Sequence, residues 1–467
     1  MRRSGPRTIL LVFLFLAAFG LERADAYSLL THEQLIDLTW QSAIVPLLLS
    51  RYPDLTPAQL DEARAYAYGG CVIQDIGYYP FGDLFFSDLT HYARSGDFVV
   101  NLFRNATNAD ELAFAVGALS HYIGDSLGHS LATNLAVPAE FPKLGAKYGP
   151  VVSYAEGEHQ HVQTEFAFDI NEIAHHRMAP VRYLRHIGLA VPVHQLALAY
   201  YQTYGLAEDF SHRRRRINVG AYRFAVRAFI PRIAYAVTLL HRKHEPADPE
   251  NPEAQALEKE SAAIAAANHW DLYRRHAGIG TYALAGLIFI LPKIGPLKLV
   301  AIKGPTADTE AEYIHSVTIS AATLSRLLAR FTPVAQRSAE EDTAEQARRA
   351  AHSREPVPLA SRDPRHPLPN RDLDTGQVVA PGGYSLTDST YAELLHRLTL
   401  EPSRPLPPGI KEDVEAYYAN PSLPITTKKD PQRWAQVQAD LKVLQSMPVS
   451  AELKPYPTYG DDADDVQ

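Results

Sequence analysis

The stretch SHYIGDSLGHS, residues 120–130, is the strongest constraint on how this chain can fold. It spaces His121, Asp125 and His129 four residues apart, which places their side chains on one face of a helix. The predicted helix begins at Asn108, a favourable N-cap. Its apolar stripe has helical spacing and consists of Leu112, Val116, Leu119 and Ile123. His121 and Asp125 lie largely opposite the stripe, so the second face is either an ordinary polar surface or half of a metal site.

The amino terminus predicts export. The basic segment MRRSGPRT is followed by the apolar run ILLVFLFLAAFGL and by Ala-Asp-Ala at 24–26, which is typical of a cleavable signal peptide. The alternative is a membrane anchor, but the run is shorter than the roughly 20 residues that a bilayer span needs. We therefore expect cleavage after Ala26, a mature chain that begins at Tyr27, and a secreted or periplasmic protein.

Composition narrows the possible classes of function. Cys71 is the one cysteine, so intramolecular disulfides are excluded and stability must come from core burial or from metal. The net charge is −8, and removal of the basic leader brings it to about −10, which disfavours a nucleic-acid binder held by bulk charge. A hydrophobic content of 46% in 467 residues is enough for a large core or for more than one domain.

We predict an all-α protein, because helical periodicity and helix caps recur and no alternating run in residues 27–245 indicates a convincing sheet. Thr56 as N-cap, Pro57 after it and Gln59 as the capping-box partner mark one helix start. The predicted divisions are a signal peptide (1–26), a domain with the candidate chemistry (27–245), a helical region with an apolar segment (255–340), a Pro-rich linker or strap (341–370), a C-terminal helical extension (371–450) and an acidic tail (451–467). The apolar segment at 278–292 is either a buried core helix or a lipid-facing one.

The first half of the chain carries a series of possible zinc ligands. They are His32, Asp75, His91, the group His121, Asp125 and His129, and the pair His161 and Glu165. Imidazole nitrogen and carboxylate oxygen are the ligands that zinc accepts where thiolates are absent. His161 and Glu165 are again four residues apart, so two separate helices each hold ligands in a fixed relative position.

In this ordered set the sequence resembles the zinc-dependent phospholipase C and S1/P1 nuclease superfamily of secreted, all-helical phosphodiesterases. The resemblance covers most of residues 27–200. The motifs GG-x-x-x-QDIGYYP and LTHYARSGDF look like the bacterial phospholipase C/D-type branch. The resemblance implies that 27–245 is the catalytic domain of a zinc-dependent phosphoric diester hydrolase with a phospholipid substrate, and a membrane surface is one place where it would meet that substrate. The alternatives are a single-strand nuclease and a non-catalytic zinc- or lipid-binding module.

The resemblance also implies three zinc ions with assigned ligands. The first takes Asp75, His91, His121 and Asp125, the second takes His129, His161 and Glu165, and the third takes the amine and carbonyl of Tyr27 together with His32 and a bridging Asp125. Family members commonly have tryptophan where this chain has Tyr27, but the ligating atoms there are backbone atoms. His159 is a nearby competitor of His161 for the role of zinc ligand, and its alternative interpretation is an exposed residue.

The implied chemistry is attack on phosphorus by hydroxide generated at zinc. Asp75 is the candidate catalytic residue, as a group that orients or deprotonates the attacking water, although a purely ligating role fits equally well. Five aromatic side chains near the site are candidates for an apolar rim or a headgroup face, with ordinary packing as the alternative. They are Tyr78, Tyr79, Phe81, Phe85 and Phe86.

Overall fold

The regular secondary structure of the protein is helical throughout the residues that the computed structural model describes. These are residues 29–210, 212–241, 251–274, 279–290, 302, 304–332, 361 and 363–450. Within them the β-structure is confined to two isolated bridges, Arg371 with Val378 and Leu406 with Val449. The all-α prediction is therefore confirmed. The predicted signal peptide, Tyr27, the acidic tail and most of the Pro-rich linker lie outside the described residues.

The helices fall into three successive groups along the chain. The first group is α1 (Leu29–Thr39), α2 (Val45–Arg51), α3 (Pro57–Gly70), α4 (Leu84–Tyr92), α5 (Ser95–Asn105), α6 (Ala109–Gly128), α7 (Asn134–Glu140), α8 (Pro142–Tyr148) and α9 (Tyr154–Ala174). The second is α10 (Val181–Ile187), α11 (Val193–Tyr204), α12 (Arg213–Phe224), α13 (Ile230–His241), α14 (Pro252–Ala267), α15 (Trp270–Tyr273), α16 (Ile279–Ile290) and α17 (Ala307–Ala329). The third is α18 (Ser385–Thr399), α19 (Ile410–Tyr418) and α20 (Pro431–Ser446).

The helix starts follow the capping residues read from the sequence. The Thr56 hydroxyl oxygen accepts a hydrogen bond from the Gln59 amide, and Gln59 Oε1 accepts one from the Thr56 backbone N–H, which completes the capping box before α3. Asn108 accepts from the Glu111 amide at 2.9 Å and caps α6. Both caps satisfy amide groups that a helix start otherwise leaves without partners, so these predicted boundaries are confirmed.

Helix α6 lies at the centre of the molecule and packs against α3, α5 and α17. Every residue from Ala113 to Gly128 is buried, so the polar face is enclosed as completely as the apolar stripe. The close approach of α3 and α6 depends on glycine, since a Cβ on Gly70 or Gly117 would overlap the backbone of the facing helix. The face with His121 and Asp125 is thus an interior surface and not a solvated one.

Helix α1 is tied to α9 by a buried carboxylate. Asp169 accepts hydrogen bonds from the Leu30 and Thr31 amides, each at 3.1 Å, and from the Thr31 hydroxyl at 2.8 Å. These bonds satisfy amide groups at the first turn of α1, where the helix has no internal acceptors. They also place His32, which follows immediately, inside the bundle rather than at its edge.

The apolar segment at 278–292 is described over α16. Ala285 and Ile288 are buried on the side where α16 packs against α13, whereas Tyr282 and Phe289 are 59% and 74% exposed. The helix is therefore half core and half surface, between the two predicted alternatives. Within the described residues, no helix is both long and apolar enough to cross a bilayer.

Candidate metal centre

Five different elements bring the candidate ligands together around α6. A 3₁₀ turn, Ile73–Tyr78, holds Asp75, and α4 holds His91. A π-helical turn, His129–Thr133, follows α6 and holds His129. Such π turns inside helices are frequent at functional sites because they redirect a side chain without ending the helix. Helix α9 carries His161 and Glu165, and α1 carries His32.

The first cluster is built around the carboxylate of Asp125, which has no solvent exposure. Its Oδ1 lies 3.1 Å from His32 Nε2, and its Oδ2 lies 3.0 Å from His121 Nε2 and 3.4 Å from His91 Nε2. Asp75 Oδ1 lies 3.3 Å from the same nitrogen of His91. Three imidazoles and two carboxylates thus converge on one buried volume.

The second cluster lies one helical turn further along, at the end of α6. Glu165 Oε1 is 3.1 Å from His161 Nδ1 and 3.5 Å from His129 Nε2. All three side chains are almost completely buried. This cluster offers three protein ligands, which is the number found in catalytic zinc sites that keep one position for water or substrate.

Each of four cluster histidines has one ring nitrogen engaged by an oxygen atom outside the cluster. His91 Nδ1 is 2.8 Å from the Ser87 carbonyl oxygen, and His121 Nδ1 is 3.1 Å from that of Cys71. A neutral imidazole has a single N–H, so donation from this nitrogen leaves the other nitrogen with its lone pair. This is the arrangement that orients a metal-binding histidine.

The same arrangement holds in the second cluster, with different acceptors. His129 Nδ1 is 2.9 Å from the Leu373 carbonyl oxygen, and His161 Nε2 is 2.8 Å from Asn134 Oδ1. Donation to these oxygens leaves His129 Nε2 and His161 Nδ1 directed at Glu165. All four lone pairs are therefore directed at a carboxylate or at another imidazole.

Zinc fits this donor set. His91 Nε2 and His121 Nε2 face each other at 3.3 Å, and when both are acceptors they repel unless a cation lies between them. Tetrahedral zinc with bonds of 2.0–2.1 Å separates its ligand atoms by about 3.3 Å. Within each cluster the distances of 3.0–3.5 Å between neighbouring donors match this spacing. Both oxygens of Asp125 face imidazole nitrogens of the cluster at 3.0–3.4 Å, so both are placed to bind the same metal ions as these histidines.

The electrostatics of the two clusters differ. Burial alone would raise the pKa of the Asp125 carboxyl, but the charge and hydrogen bonds of His121, with those of His32 and His91, hold it well below its usual range. Burial and the charge of His121 lower the pKa of His32. Burial would also lower the pKa of His129, but the hydrogen bond to Glu165 and the charge of Asp374 raise it to about 9. A metal at the second cluster must therefore displace a proton from His129.

The structure brings together eight of the nine predicted ligands, in two adjoining clusters, and the ninth, Tyr27, lies outside the described residues. His159 is exposed, as its alternative interpretation requires. Among the candidate rim aromatics, Tyr79, Phe85 and Phe86 are core residues, so the rim interpretation is wrong for them. Tyr78 lies with its ring 6.2 Å from the His91 ring, and Phe81 is 54% exposed.

Sequence reasoning missed the groups that contact the second cluster from outside. Asn134 has no signal that separates it from any buried asparagine, and Leu373 contributes a backbone carbonyl, which every residue type has. Sequence reasoning also missed a third group of ionisable side chains, Asp97, His366 and Asp413. The guanidinium group of Arg94 contacts both carboxylates of this group at 3.0–3.1 Å, so the negative charge of Asp97 and Asp413 is already balanced. The group is an ion-pair network that joins the C-terminal region to α5.

The fold and the two clusters together define a class: an all-helical protein with imidazole and carboxylate groups that could hold metal around one central helix. Residues 31–210 match the family described as zinc dependent phospholipase C. The predicted enzyme class, a zinc-dependent phosphoric diester hydrolase, is thereby confirmed. Searches of curated proteins and of solved structures each found no match.

Proposed function

We propose that the protein is an exported enzyme that hydrolyses the phosphodiester of phospholipid headgroups with zinc held by the two clusters. The observation that carries this proposal is the position of Asp125, a fully buried carboxylate within 3.0–3.4 Å of three imidazole nitrogens. A single structural zinc site is usually closed by four protein ligands and needs no second cluster. Two adjoining clusters, one with only three ligands, favour a catalytic centre.

The distances within the clusters support the ligand sets that the resemblance implies. Asp75, His91, His121 and Asp125 would hold one zinc ion, and His129, His161 and Glu165 would hold a second. His32 and Asp125 would hold a third together with the amino terminus of the mature chain at Tyr27. When bound, zinc supplies a Lewis acid that neutralises phosphodiester oxygens and lowers the pKa of a water molecule.

Asp75 is the residue that we assign to handling the attacking water. Its residue exposure is 7%, whereas the other seven described members of the two clusters are at 2% or less. It therefore marks the side on which the first cluster approaches solvent. Its Oδ1 has no hydrogen-bond partner, so it is available to orient water and to accept its proton, or to bind metal.

Export and the third zinc ion belong to the same proposal. The first turn of α1 is fixed by Asp169, and His32 reaches the Asp125 carboxylate from that turn. Tyr27 precedes Leu30 by three residues, a length of chain that spans at most about 10 Å. Cleavage after Ala26 would release the free amine that the proposed third zinc ion requires.

The test is headgroup release by the purified mature protein. We expect it to release phosphorylated headgroup from phosphatidylcholine vesicles, to lose this activity in a chelator and to regain it with added zinc. Cleavage of single-stranded DNA without headgroup release would replace the proposal with a nuclease. Bound zinc with neither reaction would make the protein a non-catalytic zinc-binding module.

A further inference from the structure

We infer that the segment 363–379 is part of the zinc centre, because it orients two ligands of the second cluster. This segment overlaps the end of the predicted linker or strap (341–370), and from here on the name strap refers to 363–379 alone. The strap lies outside residues 31–210, which match the zinc-dependent phospholipase C family. The inference rests on the proposed function, since it concerns how this chain holds one of the proposed zinc ions. Its functional groups are backbone carbonyls at Leu373 and Asp374.

The first contact is a direct one to a ligand. The Leu373 carbonyl oxygen is 2.9 Å from His129 Nδ1, and the Leu373 amide donates to the His91 carbonyl oxygen at 3.0 Å. A carbonyl only accepts, so His129 Nδ1 must carry the proton and Nε2 is left to face Glu165. The carboxylate of Asp374 lies 3.8 Å from the same Nδ1 and adds negative charge behind the ring. Such partners increase the basicity of a metal-binding imidazole.

The second contact reaches His161 through one intermediate side chain. The Asp374 carbonyl oxygen accepts from Asn134 Nδ2 at 2.8 Å, which fixes the rotation of that amide. Asn134 Oδ1 then faces His161 Nε2 at 2.8 Å and accepts its proton. His161 Nδ1 is thereby left for metal. One turn of the strap thus sets the protonated nitrogen of both histidines in the second cluster.

The strap is held in this position by its own hydrogen bonds and by two tyrosines. Asp374 Oδ2 accepts from the hydroxyls of Tyr92 at 3.0 Å and Tyr384 at 2.6 Å. Asp372 accepts from the amide and the hydroxyl of Thr375 at 2.8 and 2.6 Å. Rigid support of this kind is what keeps ligands within the narrow geometry that metal requires.

The tip of the strap depends on Gly376. Its φ of +68° lies in the left-handed region, and a Cβ there would overlap the Ser126 carbonyl oxygen of α6. An alanine at this position would therefore push the strap away from the end of α6 and pull both carbonyls from their partners. Gly149 is the matched control, because it also has a positive φ, +102°, but has open space around its Cα.

The experiment measures zinc binding by the full chain. Metal-free wild type, Gly376→Ala and Gly149→Ala are titrated with zinc against a competing chelator, and zinc per chain is counted after dialysis. We expect Gly376→Ala to weaken one zinc equivalent about 10- to 100-fold, the usual effect of losing an orienting partner, and to leave the others unchanged. We expect Gly149→Ala to bind zinc as wild type does.

A milder pair of variants covers the case in which Gly376→Ala does not fold. Tyr384→Phe removes the hydroxyl that anchors Asp374, and Tyr418→Phe removes a buried hydroxyl of the same region that has no hydrogen-bond partner. We expect Tyr384→Phe alone to weaken the same zinc equivalent, by a smaller factor. Equal zinc binding by wild type and by folded Tyr384→Phe or Gly376→Ala overturns the inference. Absence of zinc from wild type overturns the proposed function instead.

Discussion

The segment 31–210 and the C-terminal region 363–450 contribute to the same centre with different kinds of group. The first provides all eight described ligand candidates as side chains, whereas the second provides backbone carbonyls and the tyrosine-anchored Asp374. A ligand must be a particular residue type, but a carbonyl acceptor need not be. The comparison teaches that a family pattern records the side-chain ligands of a metal centre, because these must be particular residue types. It does not record the backbone groups that orient them.

The two regions also hold together differently. Helices α3 and α6 are in backbone contact through Gly70 and Gly117. The C-terminal region is instead joined to the start of α5 by the ion pairs of His366 with Asp97 and of Asp413 with Arg94. Packing contacts of the first kind do not depend on pH. Contacts of the second kind depend on charge, and one of them on the charge of an imidazole. The following predictions test this difference and the difference between side-chain and backbone contributions.

The largest effect on zinc content and activity is expected from Asp125→Asn, which removes the carboxylate that two zinc ions are proposed to share. An amide cannot bridge two cations as a carboxylate does, so more than one zinc equivalent per chain should be lost. Headgroup release should decrease about 10³-fold, since each tenfold change in rate corresponds to about 1.4 kcal/mol and metal stabilisation is worth several kcal/mol. Metal analysis and headgroup assays measure both.

Asp110→Asn is the control for this variant, since it makes the same substitution in the first turn of the same helix. It should retain wild-type zinc content and rate. Retention of all zinc by Asp125→Asn would remove the bridging carboxylate from the proposal.

A large loss of stability is expected from Gly117→Ala, which tests the packing contact. The new Cβ would overlap the Ala67 carbonyl oxygen of α3, and a backbone neighbour cannot rotate away. We expect the free energy of unfolding to decrease by about 2–4 kcal/mol, with no dependence on pH between 6 and 10. Gly220→Ala, with open space around it in α12, should unfold at the wild-type denaturant concentration or slightly above it. An unchanged free energy of unfolding in Gly117→Ala would show that α3 and α6 can move apart without loss of stability.

A smaller, pH-dependent loss is expected from His366→Gln. The hydrogen bonds to Asp413 and Asp97 raise the pKa of His366 to about 10, above its ordinary value of 6.5. Its stabilising contribution is therefore complete below pH 6.5 and is lost as the pH rises towards 10. The variant should be about 1–3 kcal/mol less stable than wild type at pH 6, and this difference should shrink at pH 10.

The matched control for this prediction is His396→Gln, in the same C-terminal region. His396 pairs with Asp440 at 3.0 Å but is 41% exposed, and exposed pairs contribute little. Denaturant unfolding at both pH values measures the four differences. A constant destabilisation of His366→Gln across this range would assign the contact to packing instead of charge.

The smallest effect is expected from retention of one residue before Tyr27. The terminal amine then becomes an amide and can no longer donate a lone pair, so the zinc ion near His32 should bind about tenfold more weakly. The second cluster, which the strap supports, should keep its affinity. Stepwise zinc titration separates the two, and an unchanged titration would count against the amino terminus as a ligand.

Much of the site follows from local rules that a sequence displays. Asn108 and Thr56 begin their helices where capping chemistry requires, and a spacing of four places His121 over Asp125 and His161 over Glu165. These relations lie within one helix, whose geometry is known before the fold is. The order of ligand types along the chain then led to the zinc-dependent phospholipase C family, which the match over 31–210 confirms.

The sequence by itself thus determined the all-helical class, the candidate ligands within each helix and the resemblance to the family, because each depends on residue type and spacing along the chain. Tertiary structure alone decided that His32 and His91 meet Asp125 and that Asp75 meets His91. It also decided that three of the candidate rim aromatics are core residues and that Leu373 contacts His129 across 244 positions. The physical reason is that these contacts depend on how helices pack. The last one uses a carbonyl that every residue has, so no pattern of residue types can reveal it.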